Sequence, residues 1–115
     1  MIKNFYEIEP RLQTNCHGGE GTIKIANIIE KFATPMQFFH YTTLPPGTSI
    51  GLHKHGNDEE FYVVLSGEGE MEVDGEKQNV TAGAVIMNKP FGTHGLRNTS
   101  ATDDLNILVF EVKNP

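Results

Sequence analysis

From Gln37 to Val112 the apolar residues arrive in short runs, and turn-forming residues interrupt each of them. Pro45-Pro46-Gly47, Asp74-Gly75 and Pro90-Phe91-Gly92 are the plainest breaks. Proline presets one backbone angle and glycine reaches angles closed to other residues, so such clusters reverse the chain. No stretch carries the long 3.6-residue period of an amphipathic helix. The spacing predicts eight strands, near Gln37–Leu44, Thr48–Leu52, Glu60–Leu65, Gly69–Val73, Glu76–Val80, Ala84–Asn88, Gly95–Asn98 and Asn106–Val112. Asp74-Gly75 has the composition of a two-residue hairpin turn. Short punctuated strands of this number mean an all-β fold, a sandwich or a barrel.

The candidate chemistry sits in Gly47 to Gly67, GTSIGLHKHGNDEEFYVVLSG. Thr48, Ser49, Ile50 and Leu52 favour extended backbone, in which His53 and His55 share a face with Cα atoms roughly 7 Å apart. Two imidazoles at that separation can tip toward one ion at ~2.0–2.2 Å. Gly56-Asn57-Asp58 reads as a turn, and Glu60 opens the next strand. A hairpin there brings Glu60 back beside the pair, and the outline is that of a metal site. Taken alone, a His-x-His pair is more often just a polar surface patch. His94, far along the chain within GTHGLRN and after a second strand-and-turn unit, is the residue that shifts the balance.

These residues resemble the two motifs of the cupin family. Gly47, His53, His55, Glu60 and Gly67 match every position of the first, with four residues between His55 and Glu60. Gly83, Pro90, Gly92, His94 and Asn98 stand in for the second, with Pro-x-Gly one residue late but the step of eleven from Gly83 to His94 kept. The resemblance covers roughly residues 36 to 112. It implies a double-stranded β-helix, or jelly-roll barrel, with His53, His55, Glu60 and His94 as ligands of one divalent transition metal. Mn, Fe, Ni, Co and Zn all suit three imidazoles and a carboxylate.

The formal net charge of −6, with no cluster of Lys or Arg, argues against nucleic acid or an anionic membrane as partner. At 115 residues the chain is long enough for one domain that buries roughly two-thirds of its unfolded surface. The single cysteine, Cys16, allows no internal disulfide and reads as a small, partly buried apolar residue. MIKNFYEIEP is too charged for a secretory leader, and the apolar runs are strand length, so a cytoplasmic location is expected.

Residues 1–35 read as an N-terminal arm and edge strand, and 36–115 as the barrel. Thr22–Ile29 is the predicted edge strand, an association hazard if left bare. The resemblance implies that it joins the sheet of a neighbouring subunit, hence a homodimer. His17, within the glycine-rich Cys16–Gly21, is a candidate cover for the metal pocket but reads more readily as an ordinary loop histidine. Period two puts Tyr62 and Val64 on the face of Glu60, and Phe61, Val63 and Leu65 on the other. On the strand before, either Phe38, His40 and Thr42 or Phe39, Tyr41 and Thr43 line the interior. Met87, Phe91, Leu108 and Phe110 are expected in the core, some of them at its mouth. Asp58, Glu59 and Glu111 are nearby candidates for acid–base work that read more readily as solvated charges.

The resemblance carries three functional expectations. The first is a metal-dependent enzyme acting on a small oxygen-rich acid or enol, of dioxygenase or decarboxylase type, since small cupins of this kind are described as oxalate-decarboxylase-like. The second is a sugar-type isomerase or lyase cupin. The third is a non-catalytic module that binds metal or a small molecule.

Overall fold

A computed structural model describes all residues from Met1 to Pro115. The chain forms ten strands in two antiparallel sheets: β1 (Arg11–Thr14), β2 (Thr22–Ile29), β3 (Met36–Leu44), β4 (Ser49–Lys54), β5 (Asp58–Ser66), β6 (Glu68–Val73), β7 (Glu76–Thr81), β8 (Val85–Asn88), β9 (Thr93–Asn98) and β10 (Leu105–Lys113). One sheet runs β1-β2-β3-β10-β5-β8 and the other β4-β9-β6-β7. Two single-turn 3₁₀ helices, Phe5–Glu7 and Cys16–Gly18, complete the structure. No helix is long and apolar enough to cross a membrane.

Alternation decides which side chains fill the space between the sheets. Tyr62 and Val64 of β5, Ile107 and Val109 of β10, and Ile23 and Ile25 of β2 point inward. They meet Ile50, Met71, Val80 and Leu96 from the facing sheet. Burying each such side chain stabilises the fold by roughly 1.5–3 kcal/mol. The opposite alternation puts Phe61 and Phe110 on the outer face, stacked with ring centroids 4.8 Å apart. Leu108 and Phe110 are therefore outer-face residues and not core, because the inward positions of β10 fall to Ile107 and Val109. Met87 and Phe91 are also outside, 58% and 61% exposed.

The Asp74-Gly75 turn joins β6 and β7 as expected, with φ of 49° and 85° at its two central residues. That is the left-handed pair a tight hairpin requires. The second-motif turn differs from the family pattern in a way its geometry explains. Gly92 N–H donates to the Lys89 carbonyl at 3.1 Å, and the left-handed residue inside this turn is Phe91, at φ 60°. Because Pro-x-Gly arrives one residue late, a phenylalanine holds the angle that a glycine on the family spacing would occupy. Asn98, the last residue of that motif, is a clamp. Its amide donates to the carbonyls of Leu44 and Asp103, both at 2.8 Å, and accepts from Ser100 N–H at 2.8 Å.

The first twenty residues are more than an arm. Arg11–Thr14 is a strand on the edge of the six-stranded sheet, paired with β2 from Arg11 opposite Ile25 to Thr14 opposite Thr22. β2 in turn pairs with β3 of its own chain. Cys16 is buried in the core, and burial pushes its thiol pKa up. The Cys16–Gly19 backbone lies directly on β4. A Cβ added at Gly19 would fall on the Ser49 carbonyl, and one at Gly51 on the His17 carbonyl. Glycine at both positions is what allows this contact.

Candidate metal centre

His53 and His94 face each other across neighbouring strands. They are register partners on β4 and β9, so their side chains leave the same face of the four-stranded sheet. Their rings stand edge to face with centroids 4.5 Å apart. His55 follows the end of β4 and is held by the second-motif turn. Its N–H donates to the Gly92 carbonyl at 2.9 Å, while Phe91 N–H donates to the Gly56 carbonyl at 2.8 Å.

Glu60 comes from the other sheet. The expected hairpin between its strand and that of the histidines does not form: β4 pairs with β9, while β5 pairs with β10 and β8. Gly56 and Asn57 carry the chain across the gap between layers, so Glu60 meets the histidines face to face. The outcome is the predicted quartet by another route. Donor atoms of His53, His55, Glu60 and His94 all lie within 4.8 Å of one another. Glu60 and His94 are buried, and Glu60 Oε1 lies 2.8 Å from His94 Nε2.

The proton positions favour a cation. His53 Nδ1 lies 2.7 Å from the Gly51 carbonyl, which can only accept, so Nδ1 carries the proton and Nε2 presents a lone pair. The Asp58 carboxylate, 2.7 Å from His55 Nδ1, sets the same tautomer there. Two Nε2 lone pairs then point at one another across 3.0 Å. Without a positive charge between them this contact is repulsive. Two donors at ~2.1 Å from one ion and at right angles to each other are separated by about 3.0 Å. His94 Nδ1 and both side-chain atoms of Asn88, the register partner of Glu60, are buried without a protein partner. The residues fit a bound metal ion.

The comparisons agree with this geometry. Residues 40–111 match the family model described as a cupin domain.

The chain is a cupin.

It is 35% identical over 105 residues to the oxalate-binding protein of Thermotoga maritima, covering 90% of this chain and 87% of that one. A Thermotoga maritima crystal structure described as a predicted oxalate decarboxylase superposes with a TM-score of 0.95 at 34% identity, over 99% of this chain and all 100% of that one. A conserved barrel domain protein from Salinispora arenicola shares the fold, with a TM-score of 0.76 at 19% identity over 98% of this chain and 88% of that one.

A cavity of about 250 Å³ in this cupin opens onto His53 and Glu60. A larger hollow of about 680 Å³ beside β6, β7 and β8 contains none of the four donor residues, so the smaller one is the cavity that reaches the centre. Phe38, His40 and Thr42 line the smaller cavity, which settles the face of β3. The alternation alone left it open because both sets contain apolar and polar members. Burial pushes His40 and His53 down to about 4, so both are neutral at pH 7. Tyr62 keeps its proton, because burial first and the Glu60 charge second push its ionisation well up.

Three further features complete the site. His17 is no ordinary loop histidine: its ring lies flat on His53 at 3.7 Å, with planes 8° apart. Burial, the larger cause, and the neighbouring imidazoles lower its pKa. Asp58 and Glu111 are not solvated charges either. Both reach His55 Nδ1, at 2.7 and 3.2 Å. Burial first, then the charges of Asp58 and Glu60, push Glu111 up to about 7. Arg11 and Gln13, on the unforeseen strand β1, complete the cavity rim.

Proposed function

We propose that His53, His55, Glu60 and His94 hold one divalent transition metal, and that this centre binds and transforms a small oxygen-rich carboxylic acid. The observation that carries the reading is the 3.0 Å approach of two imidazole lone pairs, each aimed by an acceptor behind its ring. The oxalate-binding name of the Thermotoga relative supports a small carboxylate as ligand.

The bound ion supplies Lewis acidity that polarises a carboxylate oxygen. The chain supplies the rest. His17 covers one side of His53 and limits water there. Neutral His40 and His17 offer ring nitrogens, and Thr42 and Tyr62 hydroxyl groups, as hydrogen-bond partners in the cavity. Ile23, Ile25, Phe38 and Val109 form apolar walls that strengthen every polar contact inside. The chemistry is of decarboxylase or dioxygenase type.

The test is elemental analysis of protein purified without added metal, followed by assay with oxalate. About one ion per chain is expected, lost in His53→Ala while the fold is kept. Carbon dioxide release from oxalate without net oxygen uptake assigns the decarboxylase type, and oxygen uptake with a catechol or β-diketone panel the dioxygenase type. Protein that takes up none of Mn, Fe(II), Co, Ni or Zn ends the reading. Metal-loaded protein that binds oxalate without consuming it leaves a binding module.

The same reading includes a homodimer. Half-buried Phe39, Phe61 and Phe110 on the outer face of the six-stranded sheet support it, since aromatic rings there await cover. Sedimentation at twice the 12.8 kDa chain mass is the expected result.

A further inference from the structure

Arg11 sits on the rim of the cavity that opens onto His53 and Glu60. Its register partner is Ile25, whose partner on the next strand is Thr42, and all three face the same interior. The guanidinium Nη1 donates to Gln13 Oε1 at 2.9 Å, two residues along the same strand. That bond uses one of its five N–H groups. No carboxylate forms an ion pair with Arg11. Arg11 is thus an exposed cation without a carboxylate partner, on the rim of a partly apolar cavity that also reaches His53 and Glu60.

The charges of the two ends match one class of ligand. Glu60 is the single carboxylate among the four donors, so a divalent ion held there would keep positive charge toward the cavity, while Asp58 and Glu111 lie behind His55 at its Nδ1. Arg11 adds a second positive charge at the outer end. Ile25, Phe38 and Val109 give the same cavity apolar wall, beside the polar His40, Thr42 and Tyr62. A ligand that satisfies all three parts has an anionic group at each end and carbon in the middle. A cavity of about 250 Å³ equals the liquid volume of roughly eight waters, more than a two-carbon acid fills.

We propose that Arg11, held by Gln13, is the outer anchor of a dicarboxylate site, in which one carboxylate of a three- to six-carbon diacid meets the metal centre and the other meets the guanidinium fork. The inference rests on the metal-and-carboxylate reading above and adds the second end of the ligand. Arginine suits the role because its planar fork binds a carboxylate through two parallel bonds. The strand carrying it lies outside the region that holds both metal motifs, so ligand length is set by a part of the chain separate from the metal donors.

The test is calorimetric titration of Mn(II)-loaded protein, its metal content verified, with malonate, succinate and glutarate against propionate, butyrate and valerate. Wild type is expected to bind one diacid at least about tenfold more tightly than the monoacid of equal length. In Arg11→Gln that preference disappears while metal content, melting temperature and monoacid affinity stay as in wild type. Arg11→Lys, which keeps the charge and loses the fork, recovers only part of it. Metal-replete wild type with no preference for diacids, or an Arg11→Gln variant that keeps the preference, overturns the inference and leaves the metal reading standing. Protein that takes up no manganese fails at the reading beneath, and the inference falls with it.

Discussion

Asp58 Oδ1 lies 2.7 Å from His55 Nδ1, on the side of the ring away from the other donors. The carboxylate fixes the tautomer that leaves Nε2 free, and it raises the basicity of that nitrogen. Asp58→Ala is expected to weaken metal binding by about 10–100-fold, the usual effect of removing such an orienting partner. Asp58→Asn, whose carbonyl can still accept the Nδ1 proton, recovers most of the loss. Competition with a chromogenic chelator measures both, and unchanged affinity in Asp58→Ala shows that Asp58 does not orient the ring.

The metal-free protein has an acid-sensitive side whose sign follows from two histidines. Burial lowers His40 and His53 from 6.5 to about 4, so between those values the unfolded chain binds more protons than the folded one. Stability is therefore full above 6.5 and is lost as pH falls toward 4. His40→Gln removes one contribution without touching a metal donor. Its melting temperature, set against wild type from pH 7 down to 4, should fall less steeply. Parallel curves refute the assignment.

Glu111 has the opposite sign. Its carboxyl is raised from 4.5 to about 7 by burial and by neighbouring negative charge, so the stability it contributes is present below 4.5 and lost as pH rises through 7. Glu111→Gln keeps the hydrogen-bonding shape and removes the charge. In metal-free protein at pH 8 this variant is expected to melt above wild type, and at pH 4.5 to melt with it. A variant that is equal or less stable at pH 8 rules out burial and charge repulsion as the source of the raised pKa.

Gly51 is the position where β4 touches the His17 backbone, so an alanine there pushes the Cys16–Gly19 segment away. Overpacking of this kind costs roughly 1–3 kcal/mol. Gly51→Ala is also expected to separate the His17 and His53 rings and to make the Cys16 thiol reactive to a maleimide. Cys16 that stays protected in a variant of wild-type stability counts against close packing of the two segments.

Phe91 tests the late Pro-x-Gly turn. It is exposed and left-handed, so Phe91→Gly loses little burial and removes a conformational cost of roughly 1–2 kcal/mol, partly offset by the freer unfolded chain. Urea unfolding should show a gain of up to about 1 kcal/mol. A loss of that size means the ring packs in a way its exposure hides.

Local chemistry in the sequence determined which residues turn and which face of a strand is apolar. Asp74-Gly75, the alternation through Glu60, Tyr62 and Val64, and the two motifs that converge on one centre all come from neighbours a few positions apart. Only the tertiary structure decided which strand lies beside which. It put β4 and β5 in different sheets, so Glu60 reaches the histidines across the interior and not around a hairpin. It turned Arg11–Thr14 into an edge strand, laid His17 on His53, and brought Asp58 and Glu111 to one imidazole nitrogen. Each of these contacts joins layers or distant segments, where what counts is how the sheets close on one another and which groups share the space left between them.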